Sequence, residues 1–198
     1  MRELLKSGVR VVALAVISPL LVWHAILVAL IGRDRAVEDT SQIVALAPGL
    51  LGQYLRRALL SCTLAECDPS CVIGFGTVIS SASARIGARA YIGPFCTLGF
   101  VHVEDDVLIA AGVHVPSGPR THGITGEGPA RDEDGTPRCV TIARGAWIGN
   151  SAVVMADVGE NSIVGAGSVV TRPLPSSVIA AGVPARVLRS RQPMMVGA

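Results

Sequence analysis

The sequence predicts a parallel β-helix preceded by a membrane helix. Three observations lead there: an aliphatic residue recurs every six positions from about Cys71, an uncharged apolar run extends from Val11 to Gly32, and the composition favours small residues over rings. Of 198 residues, 50% are hydrophobic, only 4% aromatic and 16% charged, and 22 are glycine. High hydrophobicity with low charge excludes a disordered chain. A net charge of +2 supplies no field for nucleic acid. The five cysteines match no zinc-binding spacing and read as reduced, small apolar fillers in a cytosol-facing protein.

The first element, residues 1–35, is the membrane helix. The run VVALAVISPLLVWHAILVALIG is flanked by Arg2, Lys6 and Arg10 on one side and by Arg33 and Arg35 on the other. As a helix it reaches about 33 Å, enough for a hydrocarbon core of about 30 Å. It is too long for a cleaved signal core. The flanking charges nearly balance and so do not set an orientation. Ser18-Pro19 near its middle predicts a kink. Two forms stay open: a kinked span, or a re-entrant hairpin with both ends cytoplasmic. Residues 36–70 read as an amphipathic, interfacial helical linker. Tyr54, Leu55, Ala58 and Leu59 share a helical face there, with Arg56 and Arg57 turned away towards anionic lipid. A helix capping the next domain fits the same stretch.

The body, residues 71–190, holds the repeat. Ile86-Gly87, Ile92-Gly93 and Leu98-Gly99 form one register, and Val103, Ile109-Ala110 and Val115 the next after a slip. Ile142-Ala143, Ile148-Gly149 and Val154 form a third, and Val158-Gly159, Val164-Gly165 and Val170 a fourth. A small residue stands four positions after the aliphatic one, at Ala90, Cys96, Ala146, Ala152, Ser162 and Ser168. This period fits neither an amphipathic helix nor an alternating strand. It fits short strands joined by tight corners, three to a coil, with the aliphatic residue inside and glycine taking positive φ at the corner. The repeat stops from 116 to 139, a polar Gly/Pro-rich loop, and long loops on rigid scaffolds are usually functional. PARVLRSR, from Pro184 to Arg191, reads as a short basic helix or tail, and residues 191–198 as frayed.

The stretch from Ala146 to Arg189, with WIG, GAGSVVT, a pair of prolines and AGVPARV in order, resembles the hexapeptide-repeat acyltransferases, left-handed β-helix enzymes. It is most similar to the acetyl-CoA-dependent O-acetyltransferases of sugars and surface glycans, and the N-terminal third resembles their membrane-anchored members. The resemblance implies a general base at His122, in SGPRTHG, acting on an acceptor hydroxyl. It implies that Trp147 lies beside the acyl group and that Ala166 and Gly167 line a pantetheine groove between subunits. Thr171, Arg172, Arg186 and Arg189 match positions that contact the nucleotide end of coenzyme A, where arginine suits phosphate. A backbone N–H near Asn150 is expected to receive the oxyanion. Glu104, Glu127, Asp132 or a backbone carbonyl would orient His122. The coil after WIG, VMADVG, is two residues shorter than the family's pattern, so a corner must be rebuilt there. The asparagine that small soluble members supply from an earlier coil has no assigned counterpart.

The expected function is therefore a membrane-anchored O-acetyltransferase. Its co-substrate would be acetyl-CoA, its acceptor a sugar hydroxyl of a glycan or lipid-linked saccharide, and its assembly a homotrimer. It would use no metal and bind no nucleic acid. Its catalytic domain would face the cytoplasm, where coenzyme A is. His114 either lines the acceptor pocket or packs structurally. The alternatives are a non-catalytic membrane β-helix scaffold and an acyltransferase fed by acyl carrier protein. A zinc enzyme needs three converging histidines, which the spacing of His102, His114 and His122 does not provide.

Overall fold

The computed structural model describes residues 2–118 and 135–191, with side chains from residue 8. Three helices come first: α1 (Arg2–Ile31), α2 (Arg33–Ala45) and α3 (Gly49–Thr63). A three-sided parallel β-solenoid of about 6 turns follows, the β-helix that the repeat predicts. Its strands begin at Glu66–Cys67, a few residues before 71.

Each face of the prism is one sheet. The first face stacks Glu66–Cys67, Arg85–Ile86, Val101–Val103 and Val140–Ile142, and is extended by single bridges at Val158 and Leu174. The second stacks Val72–Ile73, Tyr91–Ile92, Leu108–Ile109, Trp147–Ile148, Ile163–Val164 and Val178–Gly182. The third stacks Val78–Ile79, Thr97–Leu98, His114–Val115, Val153–Val154 and Val169–Val170. Six residues carry the chain from one face to the next, so the aliphatic series becomes three interior ladders. Ile86, Val103 and Ile142 line the first face, Ile92, Ile109 and Ile148 the second, and all are 0% exposed. Burying each such side chain stabilises by about 1.5–3 kcal/mol. The small residues four positions on are buried in the corners, and both serines among them also tie coils together. Ser162 Oγ donates to Pro175 O and accepts from Val178 N–H, while Ser168 Oγ accepts from Gly182 N–H.

The glycine directly after each aliphatic residue does not serve the purpose expected of it. Positive φ falls two residues later, at Arg89, Phe95, Asp106, Gly112, Gly145, Ser151, Asn161 and Gly167. Gly149 and Gly159 are small because the next coil is close. A Cβ on Gly149 would lie 2.5 Å from Ala166 N, and one on Gly159 would lie 2.5 Å from Pro175 C. The shortened coil is rebuilt by Asp157, whose carboxylate accepts from Thr141 N–H at 2.9 Å and pairs with Arg138.

Three other expectations are corrected. PARVLRSR forms neither helix nor tail. Ala185–Ser190 is a strand running antiparallel to Val178–Gly182, which extends the second face to seven strands. Strand pairing satisfies backbone groups that a frayed end would leave to water. Secondly, α1 runs unbroken through Ser18-Pro19, so no re-entrant hairpin forms there. Proline removes the N–H that would reach Ala15 O, and Ser18 Oγ donates to that same carbonyl at 2.8 Å. Thirdly, Arg56 does not face outward. It is 1% exposed and donates to Ile73 O, Val44 O and Ala47 O at 3.0, 3.2 and 2.7 Å. The last carbonyls of α2 lack intrahelical partners, and a guanidinium is the donor that best serves several at once.

Residues 36–70 therefore fold largely as helices packed on the first coil. Asp34 Oδ1 accepts from Ala82 N–H, Ser41 Oγ donates to Ile79 O, and Gly76 N–H donates to Ala45 O. Arg57 lies over the Tyr54 ring and donates to Cys71 O. The cysteines are unbridged, with Cys67 and Cys71 Sγ atoms 3.6 Å apart.

Candidate active site

The outward residues of the three faces differ in chemistry. The first face presents Glu66, Arg85, His102 and Thr141. The second presents an apolar ladder, Tyr91, Leu108, Trp147, Ile163 and Ile179, in register across five strands. Tyr91, Leu108 and Trp147 remain more than 40% exposed (42%, 43% and 47%), an unusual apolar surface for one side of a small domain. The third presents Thr97, His114 and Val153.

Two concavities lie on these faces. A groove of about 450 Å³ on the second is floored by Leu108, Trp147 and Ile163, with Asn150 and Ala166 at its corner. Asn150 O accepts from Gly167 N–H at 2.8 Å, which stacks the two corners. Among the described residues the Asn150 N–H has no hydrogen-bond acceptor. At the end of the ladder Ile179 pairs with Arg189. From Trp147 to Arg189 is three strand steps, about 14 Å at about 4.8 Å each. The second face is thus apolar along the groove at Trp147 and cationic on its last strand, where Arg186 and Arg189 are both exposed.

The second concavity, about 370 Å³, is lined by Thr97, His114 and Ser117 of the solenoid and by Glu38 of α2. His114 Nδ1 and Thr97 Oγ1 are 2.6 Å apart, so the hydroxyl fixes the ring and leaves Nε2 for another partner. The 116–139 loop starts at this cavity. Ser117 O accepts from Arg138 N–H at 2.7 Å, pinning the two ends of the loop together, and Gly118 turns the chain out with φ +87°. His122 lies outside the described residues, as do Glu127 and Asp132.

Comparison with known proteins decides what this arrangement is related to. Over 93 residues the chain is 40% identical to a galactoside O-acetyltransferase of Escherichia coli, covering 45% of this chain and 43% of that protein. A solved galactoside acetyltransferase in complex with coenzyme A superposes with a TM-score of 0.67 at 28% identity, over 80% of this chain and 81% of that one. The chain is a hexapeptide-repeat acetyltransferase homologue. A maltose O-acetyltransferase from Clostridium difficile shares the fold, with a TM-score of 0.73 at 19% identity over 83% of this chain. The chain spans less than half the length of the curated galactoside relatives it matches (43% and 44%). No family model matches it.

Within this homologue, the sequence-predicted site residues separate into two groups. Trp147, Asn150 and Ala166 line one groove, Gly167 hydrogen-bonds at its corner, and Arg186 and Arg189 stand on the strand that extends its face. Thr171 and Arg172 do not join them. They occupy the corner at the far edge of the third face, separated from Gly167 by the strand Val169–Val170. Glu104 is committed to the scaffold, since its carboxylate accepts from Arg144 N–H at 2.9 Å. Sequence reading missed Thr97, Ser117 and Glu38. The signal for Thr97 was its spacing of one coil from His114, which stacks the two side by side. Among the described residues no cluster of three His, Cys, Asp or Glu side chains is placed to hold a metal.

Proposed function

We propose that this protein is an acetyl-CoA-dependent O-acetyltransferase that modifies a sugar hydroxyl at a membrane. The observation that supports it most is the second face, with an apolar groove around Trp147 and arginines on its last strand, beside a polar cavity at which the 116–139 loop starts. A pantetheine arm suits an apolar floor, and phosphates suit arginine forks. The galactoside acetyltransferase bound to coenzyme A has the same fold and related sequence, and the curated relatives are named for transfer to galactosides.

Acetyl-CoA supplies an acetyl group activated as a thioester. His122 takes the proton from the acceptor hydroxyl as that oxygen attacks, and returns it to the departing thiolate. The Asn150 N–H donates to the carbonyl oxygen as its charge develops. His114, held by Thr97, contributes with Glu38 and Ser117 to a polar acceptor pocket. Thr171 and Arg172 reach the nucleotide end only from a second copy, which favours a homotrimer with a groove at each interface. The uncharged α1 motivates a membrane location, with the solenoid on the side where coenzyme A is, and hence a glycan or lipid-linked acceptor.

Calorimetric titration of coenzyme A into the detergent-solubilised chain tests this reading. Micromolar-range binding is expected, weakened about tenfold by Arg189→Ala, since a hydrogen bond from a charged group contributes about 1.5–3 kcal/mol. Failure to bind coenzyme A, or binding indifferent to both Arg189→Ala and Trp147→Ala, would sink it.

A further inference from the structure

We propose that α1 lies in the plane of the membrane surface, held against the body of the protein, and does not cross the bilayer. This deepens the membrane part of the reading above and rests on it. The apolar segment Gly8–Ile31 is long enough to span and has a mean hydropathy of 2.5. Its packing argues otherwise. Ala13, Ile17 and Leu27 are buried along one stripe, and Ala13 and Ile17 share a core with Val44 of α2 and Ala58 and Leu59 of α3. At one end the Arg10 guanidinium donates to Pro69 O on the first coil at 3.2 Å. Further along, His24 Nδ1 meets Thr40 Oγ1 of α2 at 3.1 Å. From Arg10 to Leu27 is about 26 Å of helix, most of a hydrocarbon thickness.

The partners of α1 are fixed in turn. Asp34, Ser41 and Arg56 bind α2 and α3 to backbone groups of the solenoid. α2 exposes Arg33, Asp34, Arg35, Glu38 and Asp39, with Asp34 and Glu38 beside the solenoid. If α1 spanned while packed this way, Glu38 and Asp39, next to the Thr40 that meets His24, would enter hydrocarbon together with the coil that Arg10 and Asp34 touch, which membranes disfavour strongly. In-plane placement keeps every contact and leaves the charges in water.

The uncovered part of α1 states what covers it. The buried stripe subtends roughly 120° of the helix at 100° per residue, so roughly 240° faces outward. That arc is Val11, Val16, Val22, Trp23, Ile26 and Leu30 among others, with exposures from 46% to 71%. A second protein helix covers a stripe of about 100° and would leave the rest bare. A bilayer surface covers the whole arc. Leu46, Leu50 and Leu51, exposed where α2 turns into α3, add apolar surface beside it. Arg33 and Arg35 at the end of the arc suit anionic headgroups. The occupant is therefore the interface of an anionic bilayer.

The test adds one exposed cysteine at a time to the full chain in a background with Cys62, Cys67 and Cys139 replaced by serine, which leaves only the buried Cys71 and Cys96, and reconstitutes it into vesicles of phosphatidylcholine and phosphatidylglycerol. Gly8→Cys and Ile31→Cys mark the ends of the helix, and Ser70→Cys marks the body. A membrane-impermeant maleimide is expected to label both helix ends to the same extent as Ser70→Cys. Labelling of one end only after detergent, while Ser70→Cys labels at once, would overturn the proposal in favour of a span. Failure of the protein to float with vesicles would overturn it too, and with it the membrane part of the proposed function. Brominated lipids give a second reading in a Trp147→Phe background. Trp23 should be quenched most by shallow bromines, and maximal quenching at the bilayer centre would contradict in-plane placement. Neither readout depends on acetyl transfer.

Discussion

Replacing Arg56 with methionine isolates what holds the helical layer to the solenoid. The side chain is fully buried and makes three hydrogen bonds, to Ile73 O on the first coil and to Val44 O and Ala47 O at the end of α2. Burial alone pushes the guanidinium pKa down, so desolvation opposes these bonds, although arginine stays charged. Each bond from a charged donor contributes about 1.5–3 kcal/mol. Offset by desolvation, loss of the whole set is expected to destabilise by about 3–5 kcal/mol, the range for removing one partner of a buried charged group. For a chain of this size that lowers Tm by about 6–20 °C. Thermal unfolding in detergent, followed by circular dichroism, reads the shift. Arg57→Met is the control, since Arg57 is half-buried and makes one carbonyl bond of 3.3 Å. It should cost under about 1 kcal/mol. If Arg56→Met melts with Arg57→Met, the helices are not held by this residue and the reasoning fails.

Two glycines should fail for different reasons. Gly149→Ala drives a Cβ to 2.5 Å from Ala166 N, a backbone atom at the groove, and should cost about 1–3 kcal/mol in urea unfolding while weakening coenzyme A binding. Gly167→Ala meets nothing within 4 Å but holds φ at +67°, so about 1–2 kcal/mol is expected, and Gly167→Asn should recover part of it, as Asn161 does at the same corner position. Thiol labelling of the native protein at mild pH should modify exposed Cys62 first and leave Cys96 unmodified until unfolding, because burial both hides that thiol and pushes its pKa up. Rapid native labelling of Cys96 would contradict the closed packing of the solenoid.

What was legible in the sequence was whatever the geometry of a coil repeats. Ile86, Ile92 and Leu98 recur because each face offers one interior position, and Ala90 and Cys96 are small because each corner offers one narrow one. The residues that escaped reading answer to partners without a sequence mark. Arg56 looks like any arginine on a helix until the carbonyls of Ile73, Val44 and Ala47 converge on it. Ala185–Ser190 becomes a strand only because Val178–Gly182 offers an edge. For the glycines after each aliphatic residue the positions were legible and the cause was not, since the close approach of the next coil exists only in three dimensions. At the site, the ladder from Trp147 to Arg189 followed from motifs, whereas the pairing of Thr97 with His114 depended on knowing which strands stack.

Acetyl transfer itself is the most direct test. Release of free coenzyme A from acetyl-CoA would be followed with the purified full chain, beside His122→Ala, against a panel of sugars and membrane lipid extract. The account predicts acceptor-dependent release that falls about 10²–10⁴-fold in the variant, the usual contribution of a general base. Undiminished release by His122→Ala, or neither binding nor turnover of acetyl-CoA by the wild-type chain, would contradict it.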